Sequence, residues 1–272
     1  MLVRTGDRVL NPVRRGTTPL STRTSGRRTP APSIQVVILA AGMGTRLGRT
    51  DPKPLTQLRD GRSILQRQLD GLRAVLGEDV SITAVVGYRS KKIMKAAPDL
   101  LFAYNPDFAE TNTSKSLLRG LRSTREGGVL WLNGDVVFDP AVLELALPSI
   151  AADQSFVCVD TNTVADEEVK YTLDADGFVD ELSKTVVGGL GEAVGINYIS
   201  SADKATLIDH LASCGAQDYF ERGIETAIEA EGLRVRPVDI SQYSAVEVDF
   251  ETDLARANSL FSAPLNTVAD VG

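Results

Sequence analysis

From residue 34 onward the chain alternates short β-branched apolar runs with longer stretches in which apolar residues return every three or four positions. Unbroken apolar runs mark buried strands and a 3.6-residue period marks helices. Their alternation is the pattern of repeated βα units, and hence of a mostly parallel sheet covered by helices on both faces. The spacing predicts strands over 34–40, 82–86, 100–104 and 129–132. It predicts a helix over 63–76, where Ile64, Leu65, Leu69, Leu72 and Leu76 share a face, and another over 114–123, carried by Leu117, Leu118 and Leu121. A helix over 140–150 places Pro140 near its first turn, where a missing N–H costs nothing. The pattern then changes, because 169–173 and 178–182 flank Asp174-Ala175-Asp176-Gly177, a turn signal that predicts an antiparallel hairpin. Helices over 202–212 and 217–231, strands over 233–238 and 245–248, and a closing helix over 250–261 complete the body.

Composition narrows the class. With 43% apolar and 24% charged residues in 272, the chain reads as soluble and globular. Its longest apolar run, Val36 to Ala41, has six residues, which excludes a membrane helix of roughly 18. Two cysteines, Cys158 and Cys214, form no CxxC pair, and His210 is the single histidine, so metal chemistry here must use oxygen ligands. Cys158 lies in an apolar run and Trp131 in a strand, both expected in the core, while His210 falls near a helix end at the surface. The start carries no apolar signal-peptide core, and a reducing cytoplasm is the expected location.

Charge divides the chain. Residues 1–33 hold seven arginines and one acid, Asp7, for +6, which leaves −13 on the other 239 residues of a chain whose net charge is −7. The first 33 residues, rich in Thr, Ser, Gly and Pro, are expected to be a disordered basic tail, 34–263 one domain and 264–272 a frayed end. The acidic body excludes nucleic acid as its partner, so any polyanion must be held by a local cationic site. A homo-oligomer stays open.

The strand over 34–40 runs into Ala41-Gly42-Met43-Gly44-Thr45-Arg46-Leu47-Gly48, with Pro52-Lys53-Pro54-Leu55 just beyond. Small residues let backbone N–H groups wrap a phosphate chain, and one Arg and one Lys add fixed positive charge. A dinucleotide fingerprint is not matched, since its sixth position is Leu47, and no P-loop sequence occurs.

LAAGMGTRLG followed by PKPL resembles the signature loop of the sugar-nucleotidyltransferase-like superfamily, enzymes that join an NTP to a sugar phosphate or phosphoalcohol. The likeness continues in Val85-Val86-Gly87-Tyr88, in Leu132-Asn133-Gly134-Asp135 and in Glu247-Val248-Asp249-Phe250-Glu251-Thr252-Asp253-Leu254. Within that family, the stretch Asn105 to Leu117 is similar to the N…N…SL segment of the phosphocholine and phosphonate cytidylyltransferases. Gly191-Glu192-Ala193-Val194-Gly195-Ile196 resembles their GE-x-x-G strand. The resemblance implies a Rossmann-like three-layer α/β/α fold, a mostly parallel mixed sheet with a small antiparallel hairpin insertion, and transfer of CMP from CTP to a small anionic acceptor.

It also implies roles. Arg46, Lys53 and Lys184 are the expected catalytic cations, with Lys53 nearest the charge that grows on the leaving pyrophosphate. Leu39, Ala41, Gly42, Gly44, Thr45, Asn112 and Ser116 would contact the nucleotide, with a cap on the helix over 114–123 as the alternative role for one of Asn112 and Ser116. Asp135 and Asp249, at or beside strand ends, would share a Mg²⁺, a hard cation suited to carboxylate oxygens; a cap on the closing helix competes for Asp249. Lys170 and Glu192 are acceptor candidates, and Glu192 and Glu221 divide between facing a cationic acceptor and an ordinary structural role. The acceptor is already an anion and needs little help from a base, which suits a chain with one histidine. Scattered aromatics argue against choline, which needs several aromatic faces, and the GE-x-x-G stretch favours a phosphonate. A sugar-1-phosphate or molybdopterin nucleotidyltransferase is the alternative, and a non-catalytic nucleotide-binding relative lies outside the class.

Overall fold

The computed structural model describes residues 34–162, 164 and 168–260. The expected basic tail and frayed end, 1–33 and 264–272, lie outside the described residues. Contacts divide the chain into Met1–Ala31 and Pro32–Gly272, and every described element belongs to the second unit. In chain order its strands are β1 (Gln35–Ala40), β2 (Ser81–Val86), β3 (Leu101–Tyr104), β4 (Val129–Asn133), β5 (Val136–Phe138), β6 (Phe156–Asp160), β7 (Lys170–Leu173), β8 (Val179–Ser183), β9 (Glu192–Ile199), β10 (Arg236–Asp239) and β11 (Ala245–Glu247). The helices are α1 (Ile64–Leu76), α2 (Ser90–Ala96), α3 (Thr113–Ser123), α4 (Ala141–Ala151), α5 (Lys204–Ser213), α6 (Phe220–Glu231) and α7 (Glu251–Ser259).

The main sheet runs β10-β6-β9-β4-β1-β2-β3. Every pairing along it is parallel except at β9, which is antiparallel to both β4 and β6. β7 and β8 form the expected antiparallel hairpin beside β9, and β5 pairs with β11 in a separate two-stranded ribbon.

β1 is buried along its whole length because successive side chains enter two cores. Val36, Ile38 and Ala40 pack with Leu65 and Leu69 of α1 and Leu143 of α4. Val37 and Leu39 face the other way, into Leu117 and Leu121 of α3, Trp131, Leu207 of α5 and Phe220 of α6. The fold is therefore the Rossmann-like three-layer α/β/α sandwich expected. A local device fixes the start of α1: Ser63 Oγ accepts from the Gln66 N–H at 3.2 Å, and Gln66 Oε1 accepts from the Ser63 N–H at 2.8 Å.

Three departures stand out. β5, β6, β9 and α2 are elements that the periodicity did not predict, a strand at β9 being expected only from the resemblance of 191–196. The expected strand over 233–238 narrows to β10, because the Leu233 N–H closes α6 onto the Ala227 carbonyl and the Val235 carbonyl accepts from the Val179 N–H. The helix expected from 217 begins at Phe220, since Gly215 to Asp218 form a turn in which the Gly215 N–H donates to Asp218 Oδ2 at 2.7 Å. Among the described residues no helix is long and apolar enough to cross a membrane.

Candidate active site

The site forms where the chain leaves the ends of β1 and β4. Gly134 brings these ends together: its N–H donates to the Leu39 carbonyl at 2.9 Å, and a Cβ there would lie 2.6 Å from that oxygen. After β1, Gly44 adopts φ +61°, and a Cβ on it would stand 2.6 Å from Lys53 Cγ. Glycine is thus required twice over, by backbone conformation and by the close passage of Lys53. Thr45 opens the short 3₁₀ turn Thr45–Leu47, which presents Arg46 outward.

Lys53, in a second 3₁₀ turn behind Pro52, places Nζ 3.2 Å from Asp135 Oδ2 and against Asp249 Oδ1. Arg46 Nη1 reaches the other Asp249 oxygen, Oδ2, at 2.8 Å. Asp135 follows β4, and its carbonyl accepts from the Val248 N–H at 3.0 Å, which docks the end of β11 beside it. Asp249 does not cap α7. Asp253 Oδ2 instead accepts the N–H groups of Asp249 and Phe250 at 3.2 and 2.8 Å, leaving the Asp249 carboxylate for the two cations.

Glu247 completes an acidic group that the sequence reading did not assign. Carboxylate oxygens of Asp135, Glu247 and Asp249 all lie within 4.8 Å of one another. The signal was period two: Val246 and Val248 are buried in the small core under α7, so Glu247 and Asp249 emerge on the opposite side. An all-carboxylate donor set of this size fits a hard divalent cation.

The charges perturb one another. Burial, then the neighbouring Asp135, Asp249 and Glu168, push the Glu247 carboxyl well above the ordinary carboxylate range. Burial also raises Asp135, against the opposing pull of Lys53. For Asp249 the desolvation is outweighed by Lys53 and Arg46, and its pKa falls. Burial likewise weakens the charge on Lys53, but Asp135 and Asp249 overcome it and hold the ammonium above its usual range. Such displaced values within one cleft are what a reacting site requires.

Five of the seven expected nucleotide residues, Leu39, Ala41, Gly42, Asn112 and Ser116, line one pocket together with Phe108. Asn112 also caps α3, its Oδ1 accepting from the Thr113 N–H at 2.8 Å. Lys184 is drawn to the cleft through Tyr219: its Nζ sits 4.9 Å from the Tyr219 ring centroid, and the Tyr219 hydroxyl lies beside Arg46. Lys170 and Glu192 are register partners where β7 meets β9, beside the strand that leads to Lys184. Trp131 and Cys158 are buried as expected, and His210 is hydrogen-bonded to Thr226 Oγ1 at 2.9 Å between α5 and α6, away from this cleft.

Comparison with known proteins identifies the family and the fold. Residues 36–225 match the family described as the MobA-like NTP transferase domain. Over 252 residues the chain is 29% identical to CMP-5'-(3-aminopropyl)phosphonate synthase of Streptomyces rubellomurinus, an alignment covering 85% of this chain and 39% of that protein. It is 26% identical over 243 residues to the bifunctional protein GlmU of Neisseria meningitidis, covering 85% of this chain and 52% of that one. The chain thus spans about 39% and 52% of the lengths of these two relatives. The fold is shared with the inositol-1-phosphate CTP transferase from T. maritima (TM-score 0.68, 16% identity, 84% of this chain and 96% of that). It is shared also with the CTP:phosphocholine cytidylyltransferase from Streptococcus pneumoniae (TM-score 0.65, 16% identity, 84% and 99%).

Proposed function

The chain belongs to the MobA-like NTP transferase domain family, and from that premise we propose that it is a cytidylyltransferase, moving CMP from CTP to a small phosphonate or phosphate monoester with release of pyrophosphate. The observation that carries this reading is the convergence of Lys53 and Arg46 on Asp135 and Asp249 beside the pocket of Leu39, Ala41 and Ser116. The name of the Streptomyces relative supports cytosine and a phosphonate.

The reaction is an in-line displacement. An acceptor oxygen forms a bond to the α-phosphorus of CTP while the bond from that phosphorus to the β-bridging oxygen breaks, and pyrophosphate departs with the electron pair. The nucleophile arrives ionised, so the protein's work is positioning and neutralisation of charge. Lys53 exchanges its carboxylate partners for the triphosphate and meets the charge that develops on the leaving group. Arg46, on the outer side of Asp249, holds the phosphates from the solvent side. Asp135, Asp249 and Glu247 would hold Mg²⁺, which supplies further positive charge to the α-phosphate. Lys184, over the Tyr219 ring, would grip the anionic end of the acceptor.

The test is pyrophosphate release by the purified protein with Mg²⁺, crossing CTP, UTP, GTP and ATP against aminoalkylphosphonates, phosphocholine, inositol phosphate and sugar-1-phosphates. CTP-dependent release with a phosphonate or phosphate monoester is the expected result. Preference for another nucleotide with a sugar-1-phosphate overturns it.

A further inference from the structure

The buried face of α1 reads Ile64, Leu65, Gln68, Leu69, Gly71 and Leu72. Gln68 is its one polar side chain, 1% exposed in a stripe where helical periodicity calls for an apolar residue. Its Nε2 donates twice, to the Asn133 carbonyl and to the Val136 carbonyl, each at 2.8 Å. Its Oε1 is buried and accepts from nothing among the described residues. An amide oxygen left in that state lowers stability, so packing alone does not account for a glutamine at this position. What the side chain does is hold two carbonyls.

Those carbonyls bracket Gly134 and Asp135, the two residues that join β4 to β5. The Gly134 N–H is already held on the Leu39 carbonyl, and the Asp135 carbonyl by the Val248 N–H. With Gln68 behind it, the turn that carries Asp135 is fixed on every side. The hold extends to the neighbouring strand, because Val136 is the register partner of Glu247 and the Val248 bond leads directly to Asp249. Gln68 therefore stands behind both chain segments that supply Asp135, Glu247 and Asp249, whose carboxylate oxygens lie within 4.8 Å of one another. α1 also reaches the turn of Lys53: the Ile64 N–H donates to the Thr56 carbonyl at 3.1 Å, and the Thr56 N–H to the Lys53 carbonyl at 2.9 Å.

We infer that Gln68 is a positioning residue, which sets the aim of the Asp135 carboxylate against Glu247 and Asp249 and so governs how tightly the group holds a divalent cation. Carboxylates this close repel one another, and a turn released from behind relieves the repulsion by carrying Asp135 away from its partners. Two donors on the flanking carbonyls oppose that movement. In-line transfer tolerates little misplacement, since a shift of about 1 Å costs up to about 10²-fold in rate. The inference rests on the cytidylyltransferase reading for its effect on turnover, and on the carboxylate geometry alone for its effect on the metal.

The experiment is titration of the full chain with Mn²⁺ alone, followed by CTP-dependent pyrophosphate release, in the unaltered protein and in Gln68→Met, Gln68→Glu and Gln66→Ala. Methionine keeps the length and removes both N–H groups, while glutamate keeps the shape and, when protonated, one donor. Gln66→Ala breaks the capping box of α1 and leaves the Asp135 turn alone. Gln68→Met is expected to weaken Mn²⁺ binding by about 10- to 100-fold. Its kcat is expected to fall to a similar extent, with KM for CTP within about twofold of the unaltered value. Gln68→Glu is expected to fall between, and it takes the place of Gln68→Met should that variant not fold. Gln66→Ala is expected to lower Tm and leave Mn²⁺ affinity unchanged, which a merely structural role for Gln68 would not distinguish. Unchanged Mn²⁺ affinity in the Gln68 variants overturns the inference, as does an equal loss of affinity in Gln66→Ala. The parent reading fails separately: Mn²⁺ binding that depends on Gln68, without CTP-dependent pyrophosphate release, defeats the cytidylyltransferase and leaves the positioning role standing.

Discussion

Asp135 and Asp249 each touch a cation, Lys53 for the first and both Lys53 and Arg46 for the second, whereas Glu221, buried in the first turn of α6, has an oxygen that touches no donor among the described residues. The first arrangement is self-neutralised. Its cations and carboxylates satisfy one another, so the charged group is kept folded without ligand; in the proposed reaction, phosphate and metal would take over as partners. The second is left unsatisfied, and a carboxyl whose pKa burial lifts from an ordinary 4.5 to about 7 is the consequence. The difference separates two ways of holding charge inside a fold: one stores its charges in pairs, and the other leaves a carboxyl oxygen unsatisfied at a cost in stability.

The comparison is tested most severely on the paired side. Asp135→Asn removes a metal-type ligand and one partner of Lys53, and is expected to lower kcat by at least about a thousandfold in a pyrophosphate-release assay, with chelation of divalent cations having the same effect. Lys53→Met is expected to cost about 10²- to 10³-fold in kcat, as the loss of one preorganised charge usually does, with a smaller change in KM for CTP. A loss confined to KM would show that Lys53 binds the ground state only, and the partner exchange drawn above would be wrong.

The unsatisfied side predicts a gain. Glu221 has a folded-state pKa above its unfolded value, so between about pH 4.5 and 7 the folded protein binds the extra proton. Stability is therefore fully present below about pH 4.5, is lost as pH rises towards 7, and is level beyond. Glu221→Gln imitates the protonated form, and is expected to match the unaltered protein at pH 5 and to be more stable by up to about 3 kcal/mol at pH 8, seen as a Tm several degrees higher. An equal or lower Tm at pH 8 would mean that water or a partner already satisfies the carboxylate.

How much of this was legible in the sequence follows from where each signal resides. The glycine-rich loop was readable because Gly42, Gly44, Arg46 and Lys53 follow closely on the end of β1, and α1 and α3 because their buried leucines repeat at helical spacing. β6 is an unbroken four-residue apolar run of the kind that marked β4, so its signal was present and passed over, whereas α2 buries Ile93 alone and left no periodic trace. Glu247 was within reach through its alternation with Asp249, but β11 is three residues long and the pattern is brief. Glu221 was named as facing either a cationic acceptor or an ordinary structural role, but its burial was not legible: it sits in the first turn of an amphipathic helix, where an acid ordinarily faces water. Its burial comes from Phe220 docking on Trp131 of a distant strand, and Tyr219 reaches Arg46 through that same docking.

The smallest expected effect concerns a third, uncharged arrangement in the nucleotide pocket. Asn105 is fully buried; its Nδ2 donates to Thr111 Oγ1 at 3.1 Å and to Ser116 Oγ at 3.2 Å, while its Oδ1 accepts from the Asp107 N–H and from Arg119 Nε, both at 3.1 Å. Thr111 spends its own hydrogen on the Asp107 carbonyl at 2.7 Å. Ser116 differs: its hydroxyl accepts from Asn105 and keeps its own hydrogen for donation, and Ser116 lines a pocket with Ala41 and Gly42. Ser116→Ala should then raise KM for CTP by about threefold to tenfold, the worth of one neutral hydrogen bond, with kcat nearly unchanged. Asn105→Ala should do more, since it frees Ser116, Thr111 and Arg119 together and leaves buried groups unpaired. If instead Ser116→Ala lowers kcat and leaves KM alone, the hydroxyl acts on the reacting phosphates, and the pocket at the end of β1 is not where the base is held.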